Sequence, residues 1–230
     1  MITLVNEIPF LDCCSAEAIK INCLYDSYKN DTSVMFWVQN ENDAFISMTD
    51  GNMIIFANTP DYEELCTFVN VLNPACVFSD IKTLEKIEKA PPENINIMYR
   101  KADISDTLES DTLSSKDLYE LLDVKGLSLP EYPYFAVDYC RRLNSGKAKY
   151  FALKDKCAAI TFNCEKYAII NGLASREKGY GSIALRGILA KNYGKEFLVC
   201  CRDSVMEFYR KNGFEKLYNA GYWVKNNEYK

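Results

Sequence analysis

Strand-forming residues fill Ser33 to Gln39, and a second apolar run from Ala44 to Asn58 is broken at its centre by Asp50-Gly51. That dipeptide favours a tight two-residue turn, so the run predicts a β-hairpin. Beyond Pro60, Leu65, Phe68, Val69 and Leu72 recur at helical spacing and predict a helix over Tyr62 to Leu72. A short apolar run, Ala75 to Phe78, then reads as a strand, and Ile81 to Glu88 as another helix.

The second half follows the same order. Strands are expected at Lys149 to Leu153, Cys157 to Phe162 and Tyr167 to Ala174, then a helix near Gly181 to Asn192, a strand at Phe197 to Cys201 and a short helix. Phe45 and Phe151 open the two hairpins, Asn58 and Asn163 close them, and Phe78-Ser79-Asp80 corresponds to Cys201-Arg202-Asp203. The correspondence suggests an internal repeat; chance likeness of two αβ segments is the alternative.

Between the halves, Ala90-Pro91-Pro92-Glu93-Asn94 cannot continue a helix, and Ala102 to Ser115 is polar, acidic and rich in Ser and Thr. Two domains are therefore expected, 1–100 and 101–230. In the second, Ser114 or Ser115 caps a helix whose Leu118, Leu121 and Leu122 share a face before Gly126 ends it. A further helix, Tyr134 to Leu143, stops at Asn144-Ser145-Gly146.

Composition narrows the chemistry. With 230 residues, 48% hydrophobic and 13% aromatic, both halves have enough apolar material for a core. A formal net charge of -5 and the lack of a basic run argue against nucleic acid and fit a cationic or neutral substrate. The opening residues Met1 to Glu7 lack the features of a signal peptide, and no apolar stretch is long enough to span a bilayer, so no membrane partner and a cytoplasmic location are expected. The ten cysteines then read as reduced thiols, with Cys66, Cys76, Cys140 and Cys200 in apolar runs as small buried hydrophobes. There is no histidine and no CxxC, which removes histidine-based catalysis and leaves no metal site to expect.

The informative segment is Arg176-Glu177-Lys178-Gly179-Tyr180-Gly181-Ser182, between a strand and a helix. Two glycines there let backbone N–H groups approach a ligand, and the helix amino terminus favours an anion such as a pyrophosphate, with Arg176 and Lys178 beside it. A tight strand-to-helix turn without ligand is the simpler alternative. A dinucleotide fingerprint fits the letters Gly179 to Ala184, but too little chain follows Asp203 for the further βαβ units it needs. A Walker loop fails because no Lys-Ser/Thr pair follows the second glycine.

These residues resemble the GNAT N-acetyltransferases, whose acetyl-coenzyme A loop reads Arg/Gln-x-x-Gly-x-Gly/Ala; Arg176, Gly179 and Gly181 match it. Downstream, Phe208-Tyr209-Arg210-Lys211-Asn212-Gly213-Phe214 is similar to the family's Phe-Tyr-x-x-x-Gly-Phe segment. The resemblance covers roughly Ser114 to the end of the chain. It implies an α/β (α+β) acyl-CoA N-acyltransferase fold, a mixed central sheet flanked by helices, with acetyl-CoA as cosubstrate and transfer to a primary amine, on a small molecule or a peptide, by direct attack.

By the same resemblance, Tyr209 would protonate the departing thiolate, and strand amides at Leu173 and Ala174 would hold the thioester carbonyl. The chain lacks the Pro-x-x that commonly precedes the family's arginine, so those contacts shift nearer Asn171 if the strand is ungapped. Without histidine, carboxylates lead as candidate bases, and Glu165, at the entry to the strand, is the one singled out; a solvated turn glutamate is its plain alternative. The first half has no glycine pair where Asn58-Thr59-Pro60-Asp61-Tyr62 enters its helix, and it resembles a degenerate GNAT half that binds no cofactor. Only the second half is expected to splay its strand pair, beside Gly179. The competing functional reading is a non-catalytic GNAT-like module that binds acyl-CoA or a protein.

Overall fold

The computed structural model describes residues 1–89, 93–102, 108–125, 127 and 129–225. Ala90, Pro91, Pro92, Gly126, Ser128 and part of the Ala102 to Ser115 segment therefore lie outside the described residues. In chain order the first elements are β1 (Ile2–Val5), α1 (Ala16–Tyr28), β2 (Val34–Gln39), β3 (Ala44–Thr49), β4 (Asn52–Ala57), α2 (Tyr62–Leu72), β5 (Cys76–Asp80), α3 (Ile81–Lys86) and β6 (Glu93–Lys101). They are followed by α4 (Ser115–Leu122), α5 (Tyr132–Asn144), β7 (Ala148–Leu153), β8 (Cys157–Asn163), β9 (Tyr167–Ser175), α6 (Tyr180–Lys191), β10 (Glu196–Cys201), α7 (Asp203–Lys211) and β11 (Glu215–Val224).

Two compact units result, and they are not contiguous in sequence. The first contains 1–98, 200–208 and 216–230, and the second 99–199 and 209–215. The expected division at residue 100 thus marks only the first crossing. The late residues return because β11 pairs antiparallel with β5, from Ala220↔Asp80 to Val224↔Cys76.

In the first unit the strand order is β1-β2-β3-β4-β5-β11-β6. The β3–β4 hairpin is closed by Asp50 and Gly51, both at positive φ (49° and 74°), as a two-residue turn in a right-twisted hairpin requires. Asp61 caps α2 and Asp80 caps α3, each accepting from backbone N–H groups of the first turn. One apolar cluster joins α2 and α3 to the sheet through Ile46, Met53, Leu65, Val69, Val77 and Leu84. A second joins α1 to Phe36 and Phe45 through Ala18, Ile21 and Leu24.

Helix α1 also carries buried charge. Tyr218 Oη on β11 accepts from Ala16 N and donates to Glu17 Oε2, while Lys20 Nζ donates to Tyr222 Oη at 2.9 Å and lies over the Phe78 ring. Glu17 is buried, and its Oε1 has no hydrogen-bond partner. Burial raises its carboxyl above the ordinary value of 4.5, outweighing the lowering by Tyr218. A carboxyl raised in the folded state holds its proton where the unfolded chain has lost it. Its contribution is therefore complete below the unfolded value and lost as pH rises through the folded one. Glu17→Gln, which cannot ionise, is expected to be more stable than the parent near neutral pH and to flatten the stability curve above the ordinary carboxyl value of 4.5. Urea denaturation across that range checks it; parallel curves for the two proteins would refute it.

In the second unit β7, β8 and β9 are antiparallel neighbours and β10 pairs parallel to β9. Helices α4 and α5 cover one face, where Leu118, Leu121, Leu122, Phe135 and Tyr139 pack on Ala152, Ala158, Ile160 and Ala174. The opposite face carries α6 so closely that a Cβ on Gly187 would lie 2.2 Å from the Phe151 ring. Ser114 caps α4 through Asp117 N. Helix α5 starts two residues earlier than expected, at Tyr132, because Pro133 is tolerated in a first turn whose N–H groups need no partner. Helix α7 begins at Asp203, which places an acidic residue in its first turn. Gly213, at φ 78°, ends it, with Phe214 N donating back to Tyr209 O.

Candidate functional site

Strand β9 runs from a closed end to an open one. Its pairing with β10 covers Glu196↔Tyr167 to Val199↔Ile170 and stops, although β9 continues to Ser175. At that point the register with β8 jumps from Ile160↔Gly172 to Thr161↔Ile170, so Asn171 is the extra residue of a bulge. Asn171 is exposed, whereas Gly172 and Ala174 are buried. A Cβ on Gly172 would touch Leu122 Cδ2 at 3.4 Å, which keeps α4 close behind the open edge. The β10-facing main chain of Asn171 to Ser175 is thereby released from sheet pairing.

That edge leads straight into the loop. Arg176 N donates to Lys156 O, which ties the loop to the β7–β8 turn, and Arg176 Nη2 donates to Glu120 O on α4. Gly179 is the N-cap of α6 at φ 93°, a conformation open to glycine and costly for other residues, and a Cβ there would meet no heavy atom within 4 Å. No side chain caps α6, and its first turn has no acidic residue. Arg176, Glu177, Lys178 and Gly179 are exposed, Tyr180 and Ser182 are half-buried, and Gly181 is buried. Lys156 Nζ donates to Tyr180 Oη at 3.0 Å, and the tyrosine hydroxyl pushes that ammonium's pKa up. The result is an uncapped helix amino terminus with three cationic side chains nearby and room above its glycine, which suits a pyrophosphate.

The first unit makes the contrast. Its parallel pair β4–β5 also ends early, after Ile54↔Phe78, contrary to the expectation of a splay in the second half alone. There, however, Ser79 Oγ donates to the Ile55 carbonyl, and the amino terminus of α2 is filled by the Asp61 carboxylate, which accepts from Glu63 N and Glu64 N. A helix start capped by its own carboxylate has no charge or donor left for a phosphate.

The other residues singled out in the sequence fall as follows. Leu173 is half-buried and Ala174 buried on the open stretch of β9. Tyr209 is buried on α7 with its ring edge-on to Phe214 at 5.4 Å. Glu165 stands exposed on the β8–β9 turn, at the closed end of β9. Nine strand residues, roughly 30 Å of extended chain, separate it from Arg176. The structure does not bring it to the loop, because a strand holds its two ends apart.

None of the ten cysteines forms a disulfide. Cys66, Cys76, Cys140 and Cys200 are half-buried, less enclosed than their apolar runs suggest, while Cys23, Cys157, Cys164 and Cys201 are buried. Cys157, paired opposite Ser175 beside the loop, has its thiol pushed up by burial, which makes it a small hydrophobe and a poor nucleophile. Among the described residues no cluster suits a metal ion, and no helix is long and apolar enough to cross a membrane.

No family model matches the chain, and no curated protein matches its sequence. Solved structures do match its fold. A GCN5-related N-acetyltransferase from Kribbella flavida superimposes with a TM-score of 0.58 at 9% identity, over 80% of this chain and 87% of that one. A putative acetyltransferase from Pyrococcus horikoshii gives 0.57 at 7% identity over 92% and 79%. A GNAT-family acetyltransferase from Colwellia psychrerythraea gives 0.52 at 11% identity over 98% and 100%. Likeness at such identities defines the fold: a mixed α/β GNAT-like architecture.

Proposed function

We propose that the second unit binds acetyl-CoA at Arg176 to Ser182 and transfers the acetyl group to a primary amine by direct attack. One observation carries this reading. The β9–β10 pairing stops at Ile170↔Val199, leaving a free strand edge that leads into an uncapped glycine-opened helix start. The fold neighbours, named as acetyltransferases, support it.

When bound, acetyl-CoA supplies the reactive thioester. In this reading the amides of Gly179 to Ser182 hold the pyrophosphate, with Arg176, Lys178 and Lys156 adding charge. The freed main chain from Asn171 to Ala174 orients and polarises the thioester carbonyl. The bulge at Asn171 supports contacts that begin at that residue and extend to Leu173 and Ala174. Tyr209 donates a proton to the leaving sulfur. A lysine-like amine is mostly protonated at neutral pH, and with Glu165 at the far end of β9 its proton leaves through solvent. The first unit, with the same order of hairpin, helix, strand and helix, is read as a degenerate copy that holds no cofactor.

Calorimetric titration with acetyl-CoA tests the reading. The parent protein is expected to bind, and Gly179→Asp with Gly181→Asp to weaken binding at least about tenfold, because carboxylates would occupy an anion site. Absence of binding by the parent at millimolar ligand would refute it. Binding without thiol release on any amine would favour the non-catalytic module.

A further inference from the structure

At the closed end of β9, away from the loop, a cavity of about 330 Å³ opens among Ser145, Lys147, Lys149, Asn163, Glu165 and Lys195. Its volume lies within the range of small-molecule sites. The residue that distinguishes it is Asn163. This side chain is only 4% exposed, yet neither its Oδ1 nor its Nδ2 has a hydrogen-bond partner.

The fold explains how an amide comes to be stranded there. Alternation along β8 puts Ala159, Thr161 and Asn163 on the face covered by α6. That helix ends with Asn192, whose Nδ2 donates to Thr161 Oγ1 at 3.2 Å. Asn163, two residues further along the same face, lies in the lining of the cavity. A buried primary amide with all its donors and acceptors empty costs the full desolvation of the group, and folded proteins keep few of these.

The surroundings carry both signs of charge. Lys149 Nζ donates to Lys191 O, and Lys195 Nζ to Cys164 O and Glu165 O. An ammonium has three donors, so Lys149 keeps capacity for a ligand. Glu165 supplies the one carboxylate of the lining.

We infer that this cavity binds a free α-amino acid. The ligand carboxylate accepts from Asn163 Nδ2 and Lys149 Nζ, and its α-ammonium donates to Asn163 Oδ1 with Glu165 as counter-ion. Other ligand classes fit less well. A simple carboxylate only accepts, which leaves Oδ1 empty; phosphate has no cation to meet Glu165; a polyamine only donates and meets three lysines. The site stands at the other end of the strand from the loop, and the inference does not rest on acetyl transfer.

The test is thermal shift and calorimetry on the full chain with each proteinogenic amino acid, using acetate and inorganic phosphate as controls. At least one amino acid is expected to raise Tm saturably, with no comparable effect of either control. Asn163→Leu keeps the branched shape and removes both polar atoms, so its ligand-free Tm should equal or exceed the parent's while the amino-acid shift disappears. Glu165→Gln alters an exposed side chain that folding does not need, and should weaken binding about tenfold by removing the counter-ion. The inference is overturned if no amino acid shifts the parent, if phosphate does as well as the best amino acid, or if both variants bind like the parent.

Discussion

A chain ended after Phe214 is expected to lose the folded structure of its first unit. Without β11, strand β5 loses its antiparallel partner from Asp80 to Cys76. Ala16 N and Glu17 Oε2 lose Tyr218, and Lys20 loses Tyr222. Glu17 would then be buried with neither oxygen partnered, since Oε1 already has none. Leaving a buried polar group unpaired costs about 1–3 kcal/mol, and more for a charged one such as Lys20, and the open sheet edge and the lost contact of Tyr222 with Phe78 add to that. The total is comparable with the whole stability of a domain, about 5–15 kcal/mol. Hydrogen exchange reads the outcome directly: amides of α1, β4 and β5 should lose their protection. Tyr218→Phe is the milder form, with an expected loss of about 1–3 kcal/mol in urea denaturation. Full-chain protection of α1 in the shortened protein would show that β11 is not what closes the unit.

Tyr209→Phe is expected to slow acetyl transfer by about 100-fold or more while leaving acetyl-CoA affinity nearly unchanged. A positioned general acid contributes on that scale. A hydroxyl that serves only packing is worth about 1 kcal/mol of stability and nothing in turnover. The ring itself is buried against Phe214, so removing the oxygen alone leaves the apolar contact in place. The assay follows thiol release from acetyl-CoA across polyamines, amino acids and lysine peptides. Equal rates for parent and variant on an accepted amine, with chemistry rate-limiting, would exclude Tyr209 as the acid.

The hairpins, α2 and the strand–loop–helix around Gly179 were legible in the sequence because each is specified locally, by a turn dipeptide, a cap or one apolar stripe. Helix α1 was not. Ala16, Ala18, Ile19, Ile21, Cys23 and Leu24 are buried on several sides of it, so no single stripe stands out; Ser15, accepting from Ala18 N, was the available signal. Strand β6 was hidden by its neighbourhood. Pro91-Pro92 marked a break, yet Ile95, Asn96, Ile97 and Met98 behind it are all buried, a strand covered on both faces and without alternation.

Of the site, Arg176, Gly179 and Gly181 were readable from spacing, whereas the bulge at Asn171 depends on pairing with a second strand and leaves no mark in the letters. Glu165 shows the opposite failure. Closeness along the chain to a functional strand says little when that strand is nine residues long.

The return of β11 also bears on how the chain is made. The bond between Glu17 and Tyr218 spans 201 residues of sequence. At about 5–20 residues per second, the ribosome needs roughly 10 to 40 s after making α1 before its partner strand exists. During that interval the β5 edge and the Glu17 carboxylate are exposed on a nascent chain, while the contiguous hairpin, loop and helix from Ala148 to Lys191 need no such distant segment to form. The part made first therefore waits longest for its closing strand, and a chaperone that shields unpaired strand edges would act on the amino-terminal half.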